Sequence, residues 1–569
     1  MPSLGPLLRP YRGQMAAMSL LTIAASALSL FVPLVAAKVI DSVQAGHIDL
    51  TGSLAALAAL ALGAFLFGNL QNIVQTVASE RVARDLRTQL AGVVSKQTYA
   101  SVERMTPAKL LTNLTSDVDA IKTYVSQAVP ALVSSGFIIV AAAAILLYLN
   151  WKLALPVLAV LPLIAGAFFY VMRKVRSLFG QIQGIVDVLN RVLNESIVGA
   201  ALMRLVNTEA KEFVRFSAAA GDARAISMKI LAQFAMVIPV ITFLTNVANL
   251  IILTMGGHLL ITGGMTLGQF AAFQSFLVIL IFPIIIIGFM SNAIGQAQAS
   301  YFRISMVLNA PPPPARGQSA DALTGAVEVR DLTLAYGERK VLKGVSFAIK
   351  PGSRTAIVGP TAAGKSQLLF MMTGLLAPTS GEVLYDGKPI EDISRDSLHD
   401  QIGLVFQDSS LFNLTLRENI AFNAEVGEAQ LNRAIETAEL QTFVDGLPEG
   451  LDTVVSERGL SLSGGQKQRI MLARALALDP KVLFLDDFTA RVDVATETKI
   501  LANVRRNYPG LTLVSITQKI APIEDFDQIV LLMEGEVLAV GTHAELVSSS
   551  PEYGQILRSQ RSTDAYEAA

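Results

Sequence analysis

The stretch Gly359-Pro360-Thr361-Ala362-Ala363-Gly364-Lys365-Ser366 carries the clearest chemistry in this chain. It fits the pattern GxxxxGK[ST], a loop whose backbone N–H groups, with the N-terminus of the following helix, wrap phosphate oxygens. Lys365 supplies a point charge to terminal phosphates, and the Ser366 hydroxyl can ligate Mg²⁺. Gly-bearing loops match such a pattern by chance, so context decides. Arg354 to Val358 reads as a short apolar strand running straight into the loop, and Ser366 to Leu375 reads as a helix. Strand, loop and helix in that order is the arrangement the chemistry needs. Further on, Leu483-Phe484-Leu485-Asp486 is an apolar strand ending in a carboxylate, the shape that holds a Mg²⁺ shell. Taken alone, an Asp at a strand end is commonly a capping residue.

These groups need a scaffold, and the composition bounds it. The chain has 569 residues, too many for one domain. It is 52% hydrophobic and 16% charged, where a soluble chain is about 25% charged, so much of it belongs in lipid. A net charge of −1 offers no case for a nucleic-acid partner. The chain has no cysteine, which excludes disulfides, thiol catalysis and Cys-ligated metals, and its four scattered His suggest no metal cluster. Met1 to Arg12 is too short and polar for a cleavable signal and reads as an amphipathic lead-in on the membrane surface.

The Pro run at Pro311 to Pro314 divides two halves. Before it, no Asp, Glu, Lys or Arg occurs between Asp49 and Glu80, Lys122 and Lys152, Lys152 and Arg173, or Lys229 and Arg303. With about 20 apolar residues per crossing, these gaps and Met15 to Ala37 hold about six transmembrane helices. The last two fall near 237–260 and 269–290. The segment between the second and third helices carries Arg81, Arg84, Arg87, Lys96, Arg104, Lys109 and Lys122, and that between the fourth and fifth is equally basic. The alternate loops hold only Lys152 as a Lys or Arg, which places both long basic segments and both termini in the cytoplasm. Their helical spacing reads as membrane helices continuing into the cytoplasm. After the Pro run, strands alternate with helices. The expected organisation is a transmembrane domain at 1–309, a linker at 310–324, an α/β P-loop nucleotide-binding domain at 325–560 and a tail at 561–569.

Leu462-Ser463-Gly464-Gly465-Gln466 lies about a hundred residues after the phosphate loop and just before Asp486. With it, the chain resembles a half-transporter of the ATP-binding-cassette (ABC) type IV exporter family, and the resemblance covers nearly the whole length. Further positions match the family: Tyr336 where an aromatic ring stacks on adenine, Gln407 at the loop that couples nucleotide to the membrane helices and touches Mg²⁺, and Glu457-Arg458-Gly459 before the signature. Thr106 to Val118 and Asn194 to Ile197 resemble the two intracellular loops. The resemblance implies ATP and Mg²⁺ as ligands. ATP contacts are implied for Tyr336, Gly359 to Ser366 and Gln367, and Mg²⁺ contacts for Ser366, Gln407 and Asp486. It also implies a dimer, because each ATP lies between the phosphate loop of one subunit and the signature of the other.

The departures from the family pattern concern catalysis. Asp487 stands where the family's general base is Glu, and its arm is shorter by one methylene, about 1.5 Å. A general base is worth about 10²–10⁴ in rate and needs a reach of about 3 Å, so the deficit is about 3–5 kcal/mol of barrier. Gln518 occupies the switch-His position; it can hydrogen-bond a phosphate oxygen but cannot carry the charge that His can. The D-loop, Ala490 to Asp493, differs from the usual Ser-Ala-Leu-Asp, Ala362 replaces a frequent Gly, and Gln367 replaces a frequent Thr. Asp487 and Gln518 together resemble the impaired subunit of heterodimeric exporters, with a homodimer of two slow sites as the alternative.

Cargo is weakly specified. The membrane helices lack charges, which gives no support for a proton pathway. Asn246 and Asn249, with Phe234, Phe243, Phe273, Phe276 and Phe289, read as a cavity for hydrophobic or amphipathic cargo, or as ordinary helix packing. The expected function is ATP-driven export across a bacterial cytoplasmic membrane. The alternatives are a siderophore-type importer of the same fold and an ATP-gated channel or regulatory membrane protein.

Overall fold

The computed structural model describes residues 4–46, 50–312, 316–408, 410–422, 426–455, 462–488 and 492–567. The chain divides into two compact units, one of Met1–Lys96 with Met105–Pro311, the other of Gln97–Arg104 with Pro312–Ala569.

The first unit is helical. Long apolar runs with few charges satisfy their backbone groups internally, as a lipid environment demands. Among the described residues, five helical runs are long and apolar enough to cross a membrane: Gly5–Gln44, Thr51–Lys96, Pro107–Val198, Glu209–Ile261 and Leu267–Leu308. The run Pro107–Val198 is two helices that meet across a kink at Asn150, so it holds two of the six expected spans. Asn150 alone departs to an extended conformation, φ −160° and ψ 99°. Each run far exceeds the roughly 20 residues a bilayer requires, so each extends beyond it.

The core of this unit gathers small and branched residues of Val129–Val198, such as Ala142, Leu146 and Val157, against Phe273, Phe276 and Leu280. Phe273 and Phe276 are fully buried, so these two rings serve packing and not a cargo surface. Phe289 is 46% exposed and stacks on Phe234 at 6.3 Å between centroids. Two polar ties cross between helices. Asp117, which is buried, accepts from the Ser300 hydroxyl at 2.9 Å and pairs with the Arg303 guanidinium. Asp41 accepts from the Thr266 hydroxyl at 2.8 Å and from the Gly268 N–H at 2.6 Å. Both donors lie at the start of the helix Leu267–Leu308, whose N-cap is Thr266, so the carboxylate meets the positive end of a helix dipole.

The second unit has two sheets. The strands are β1 (Val327–Tyr336), β2 (Arg339–Ile349), β3 (Arg354–Val358), β4 (Ser380–Tyr385), β5 (Lys388–Pro389), β6 (Ile402–Val405), β7 (Val482–Asp486), β8 (Thr512–Thr517), β9 (Gln528–Met533) and β10 (Glu536–Gly541). The smaller sheet runs β2-β1-β4-β5, and the larger β10-β9-β3-β8-β7-β6. In the larger sheet β9, β3, β8, β7 and β6 pair in parallel. Strands β7 and β8 are buried throughout, as continuous apolar runs predict for a parallel sheet covered on both faces. The helix Pro551–Glu567 is the last described element, its Tyr553 and Leu557 packed into the same core as Ile520 and Phe526.

Gln97–Arg104 joins this unit although it lies far away in sequence. The Tyr99 ring sits edge-on to Phe370 at 5.5 Å, and Phe370 in turn lies 6.0 Å from Phe406. Thr106 to Val118, which resembled an intracellular loop, is helical and continues into a π-helical turn at Asn113–Asp117.

Candidate functional site

Four neighbouring strands of the larger sheet deliver the chemistry. Parallel strands present their C-terminal ends on one edge, where α/β sheets bind ligands. The phosphate loop follows β3, the segment of Gln518 follows β8, Asp486 ends β7 with Asp487 directly after it, and Gln407 follows β6. The register brings them level, with Val358 opposite Thr517 and Asp486 opposite Ile516.

Backbone shape is specified by residue size in the phosphate loop. Gly364 takes φ +95° as the cap of the helix Lys365–Met372. A Cβ on Gly359 would lie 2.0 Å from the Leu532 carbonyl oxygen. Ala362 takes φ +66°, a conformation that favours glycine. Pro360, Thr361 and Ala362 are exposed at the tip, while Ala363 is buried beneath it. Gln367 is half-buried in the first turn of the helix.

Lys365 is buried, and its Nζ donates to the carbonyl oxygens of Gly359 at 2.7 Å and Pro360 at 2.9 Å. Burial lowers its pKa, while Asp487 and Asp486 oppose the shift. The ammonium therefore sits inside the loop, where an anion's charge would replace the solvation it has lost. The Ser366 hydroxyl donates to Asp486 Oδ1 at 3.2 Å. Burial pushes the Asp486 carboxyl up, the Ser366 hydrogen bond opposes this, and Asp487 adds to the rise. A desolvated carboxylate beside a hydroxyl is a hard oxygen pair, which fits Mg²⁺ held jointly with phosphate oxygens. Ser366 and Asp486 would hold Mg²⁺ there, and the ion would supply positive charge against phosphate oxygens.

Asp487 is half-buried, donates its N–H to the Ile516 carbonyl at 2.9 Å and takes φ +44°. Gln518 is exposed one strand away. Gln407 is also exposed, and its carbonyl accepts from Gln468 Nε2 at 2.9 Å. Tyr336 is 58% exposed at the end of β1, available for stacking.

The signature is the beginning of the 14-residue helix Gly464–Ala477, with Leu462 half-buried just before it. Ser463 caps it, accepting from the Gln466 N–H at 3.2 Å, while Gln466 Oε1 accepts from the Ser463 N–H at 2.8 Å. This capping box leaves Gly464 and Gly465 as a first turn without side chains, through which an anion can approach the backbone. Asp493 caps the helix Val494–Asn507 by accepting from the Thr496 N–H at 2.9 Å, and that bond lowers its pKa. Glu457 to Gly459, Ala490 and Arg491 lie outside the described residues.

Gln468 and Glu497 are among the residues that escaped the sequence reading. Gln468 is buried and ties the signature helix to the Gln407 loop. It falls in step with Met471, Leu472 and Ala475 on the buried face, and a polar residue in an apolar stripe was the available signal. Glu497 is 1% exposed, and its Oε2 has no hydrogen-bond partner among the described residues.

Comparison with known proteins agrees with this geometry. Residues 15–284 match the family model described as "ABC transporter transmembrane region", and residues 342–490 match "ABC transporter". The chain is 31% identical to the "Uncharacterized ABC transporter ATP-binding protein YfiB" of Bacillus subtilis (strain 168), over 99% of each chain. It is 30% identical to an "ATP-dependent lipid A-core flippase" of Syntrophus aciditrophicus (strain SB), over 87% of this chain and 83% of the relative. In fold it is similar to a bacterial Atm1-family ABC exporter solved with ATP bound, with TM-score 0.79, 24% identity, and coverage of 96% of this chain and 99% of the other. The apolar helical unit, the phosphate loop at the sheet edge and these matches together establish that the chain belongs to the ABC transporter family, as a multi-pass membrane protein of exporter fold with an ATPase domain that uses ATP and Mg²⁺.

Proposed function

We propose that this chain is one half of an ATP-driven exporter of lipids or other hydrophobic and amphipathic molecules, residing in a bacterial cytoplasmic membrane with its nucleotide-binding domain and termini in the cytoplasm. Its own loop, Asp486, Asp487 and Gln518 hold an ATP that turns over slowly. Its Ser463 and Gly465 complete the productive site of a second half-transporter, so the assembly is a heterodimer. Closure of the two nucleotide-binding domains drives alternating access in the membrane domains.

The observation that carries this reading is Asp487, which directly follows the metal carboxylate Asp486 on β7. It occupies the general-base position on an arm too short to reach an attacking water. Gln518, on the neighbouring strand end, brings no titratable proton. Support for cargo comes from the lipid A-core flippases among the relatives and from the exposed Phe243 and Phe289 of the membrane unit.

The test is ATP turnover in lipid vesicles. The unmodified chain purified alone is expected to hydrolyse slowly, and the double substitution D487E and Q518H to raise turnover about 10²-fold. Turnover by the unmodified chain that matches a complex with a Glu- and His-bearing partner would sink the proposal.

A further inference from the structure

The segment bearing Gln518 is a short exposed bridge between two buried anchors. Thr517 ends β8 with no exposure, and Ile520 is equally buried, while Gln518 and Lys519 stand in solvent. Lys519 donates its N–H to the Thr517 hydroxyl at 3.0 Å, which shapes the turn from within. One side chain holds it from outside. Gln560 Nε2 donates to the Gln518 carbonyl at 2.6 Å, and Gln560 Oε1 accepts from the Ile520 N–H at 2.9 Å. A single amide thus brackets Lys519 at two backbone points, much as a neighbouring strand would.

Gln560 comes from the helix Pro551–Glu567, about forty residues after the segment it grips. Tyr553, Leu557 and Gln560 follow i, i+4, i+7 spacing, which puts the amide on the face that packs into the core. Tyr553 and Leu557 are both buried, and the Tyr553 hydroxyl meets His543 Nδ1 at 2.9 Å. The helix is therefore fixed one turn before the clamp. Gln suits the task because its carboxamide offers one donor and one acceptor in a plane. Glu keeps the size and the acceptor but loses the donor.

We propose that Gln560 is a positioning residue for the nucleotide site: it sets the backbone from which Gln518 meets the terminal phosphate, and so links the C-terminal helix to ATP binding and turnover. This rests on the assignment of Gln518 as the switch position. A movement of the helix that withdrew Gln560 would free two backbone groups at once and loosen the segment without touching the phosphate loop.

The test uses the full-length protein in lipid nanodiscs, unmodified and as Q560A, Q560E and Q518A. Hydrogen exchange at residues 517–520, binding of a fluorescent methylanthraniloyl ATP and ATP turnover are measured on each. Q560A is expected to speed exchange of the Ile520 amide about threefold to tenfold, and to weaken nucleotide binding or turnover by a similar factor. Q560E keeps the acceptor for the Ile520 N–H and loses the donor to the Gln518 carbonyl, so it is expected to spare Ile520 exchange while weakening nucleotide binding or turnover, and exchange across β9 stays unchanged in both variants. Unchanged exchange at Ile520 in Q560A overturns the clamp. A loosened segment with unaltered nucleotide binding and turnover, beside a Q518A that alters them, overturns the link to the site. If Q518A is silent as well, the assignment of the switch position falls, and the clamp's role falls with it.

Discussion

Three residues of the nucleotide site stand in conformations or surroundings that their types only partly suit, and each makes a testable difference. Ala362 takes φ +66°, where an L-residue with a Cβ loses about 1 kcal/mol relative to glycine. A362G should therefore raise the melting temperature of the nucleotide-binding unit by a few degrees at most, read by calorimetry with and without ATP. Asp487 takes φ +44°, and Asp enters that region more readily than Glu. The longer arm of Glu thus costs backbone energy, so D487E should gain turnover while losing up to about 1 kcal/mol of stability. Glu497 is the third. Burial pushes its carboxyl from the usual 4.5 to about 7, with Lys519 opposing and Asp487 adding to the shift. The folded chain then holds this proton more tightly than the unfolded chain does. The stability it contributes is complete below about pH 4.5 and is lost as pH rises through about 7. E497Q removes that dependence. The variant should be more stable than the parent at pH 8, on the order of 2 kcal/mol, and their difference should shrink toward pH 5. Melting curves of both proteins across that range check it.

At the scale of elements, helix starts do much of the positioning. Ser463, Thr266 and Asp493 each cap a helix, and Asp41 adds a carboxylate to the start of Leu267–Leu308 from the far helix Arg12–Gln44. Removing Asp41 leaves the Gly268 N–H and the Thr266 hydroxyl without this acceptor. D41A is expected to destabilise the membrane unit by about 1–2 kcal/mol, and D41N, which keeps an acceptor, by about half as much. Thermal unfolding in detergent measures both. Gly268 cannot be enlarged at this junction, since a Cβ there would lie 2.0 Å from the Ala37 carbonyl oxygen.

At the scale of the whole molecule, the division into a membrane half and an α/β half was legible, because charge-free runs and a strand–loop–helix motif are local signals. The strand–loop–helix around Gly359 to Ser366, the strand ending at Asp486 and the helix start capped by Ser463 were readable for the same reason. The break between two of the membrane helices was readable as well, because polar Asn150 and Lys152 interrupt the apolar run where the chain kinks. Phe273 and Phe276 could not be told from cargo-facing rings, because burial depends on which neighbours a helix meets. Gln560 was missed for a different cause: it binds backbone atoms of a distant segment, and main-chain partners leave no trace in residue type, whereas Gln468 stood out only as a polar residue in an apolar stripe.

Gln97–Arg104 also sets a limit on how this protein can be taken apart. Its Tyr99 covers Phe370, on the helix that follows the phosphate loop, although some two hundred and seventy residues separate them. No single scission of the chain yields both halves whole. A fragment beginning at residue 312 would carry every nucleotide motif and still present a bare ring at Phe370, inviting self-association in solution. Soluble versions of the ATPase are better made by supplying residues 97–104 as a separate peptide or a grafted segment than by trimming at the Pro run.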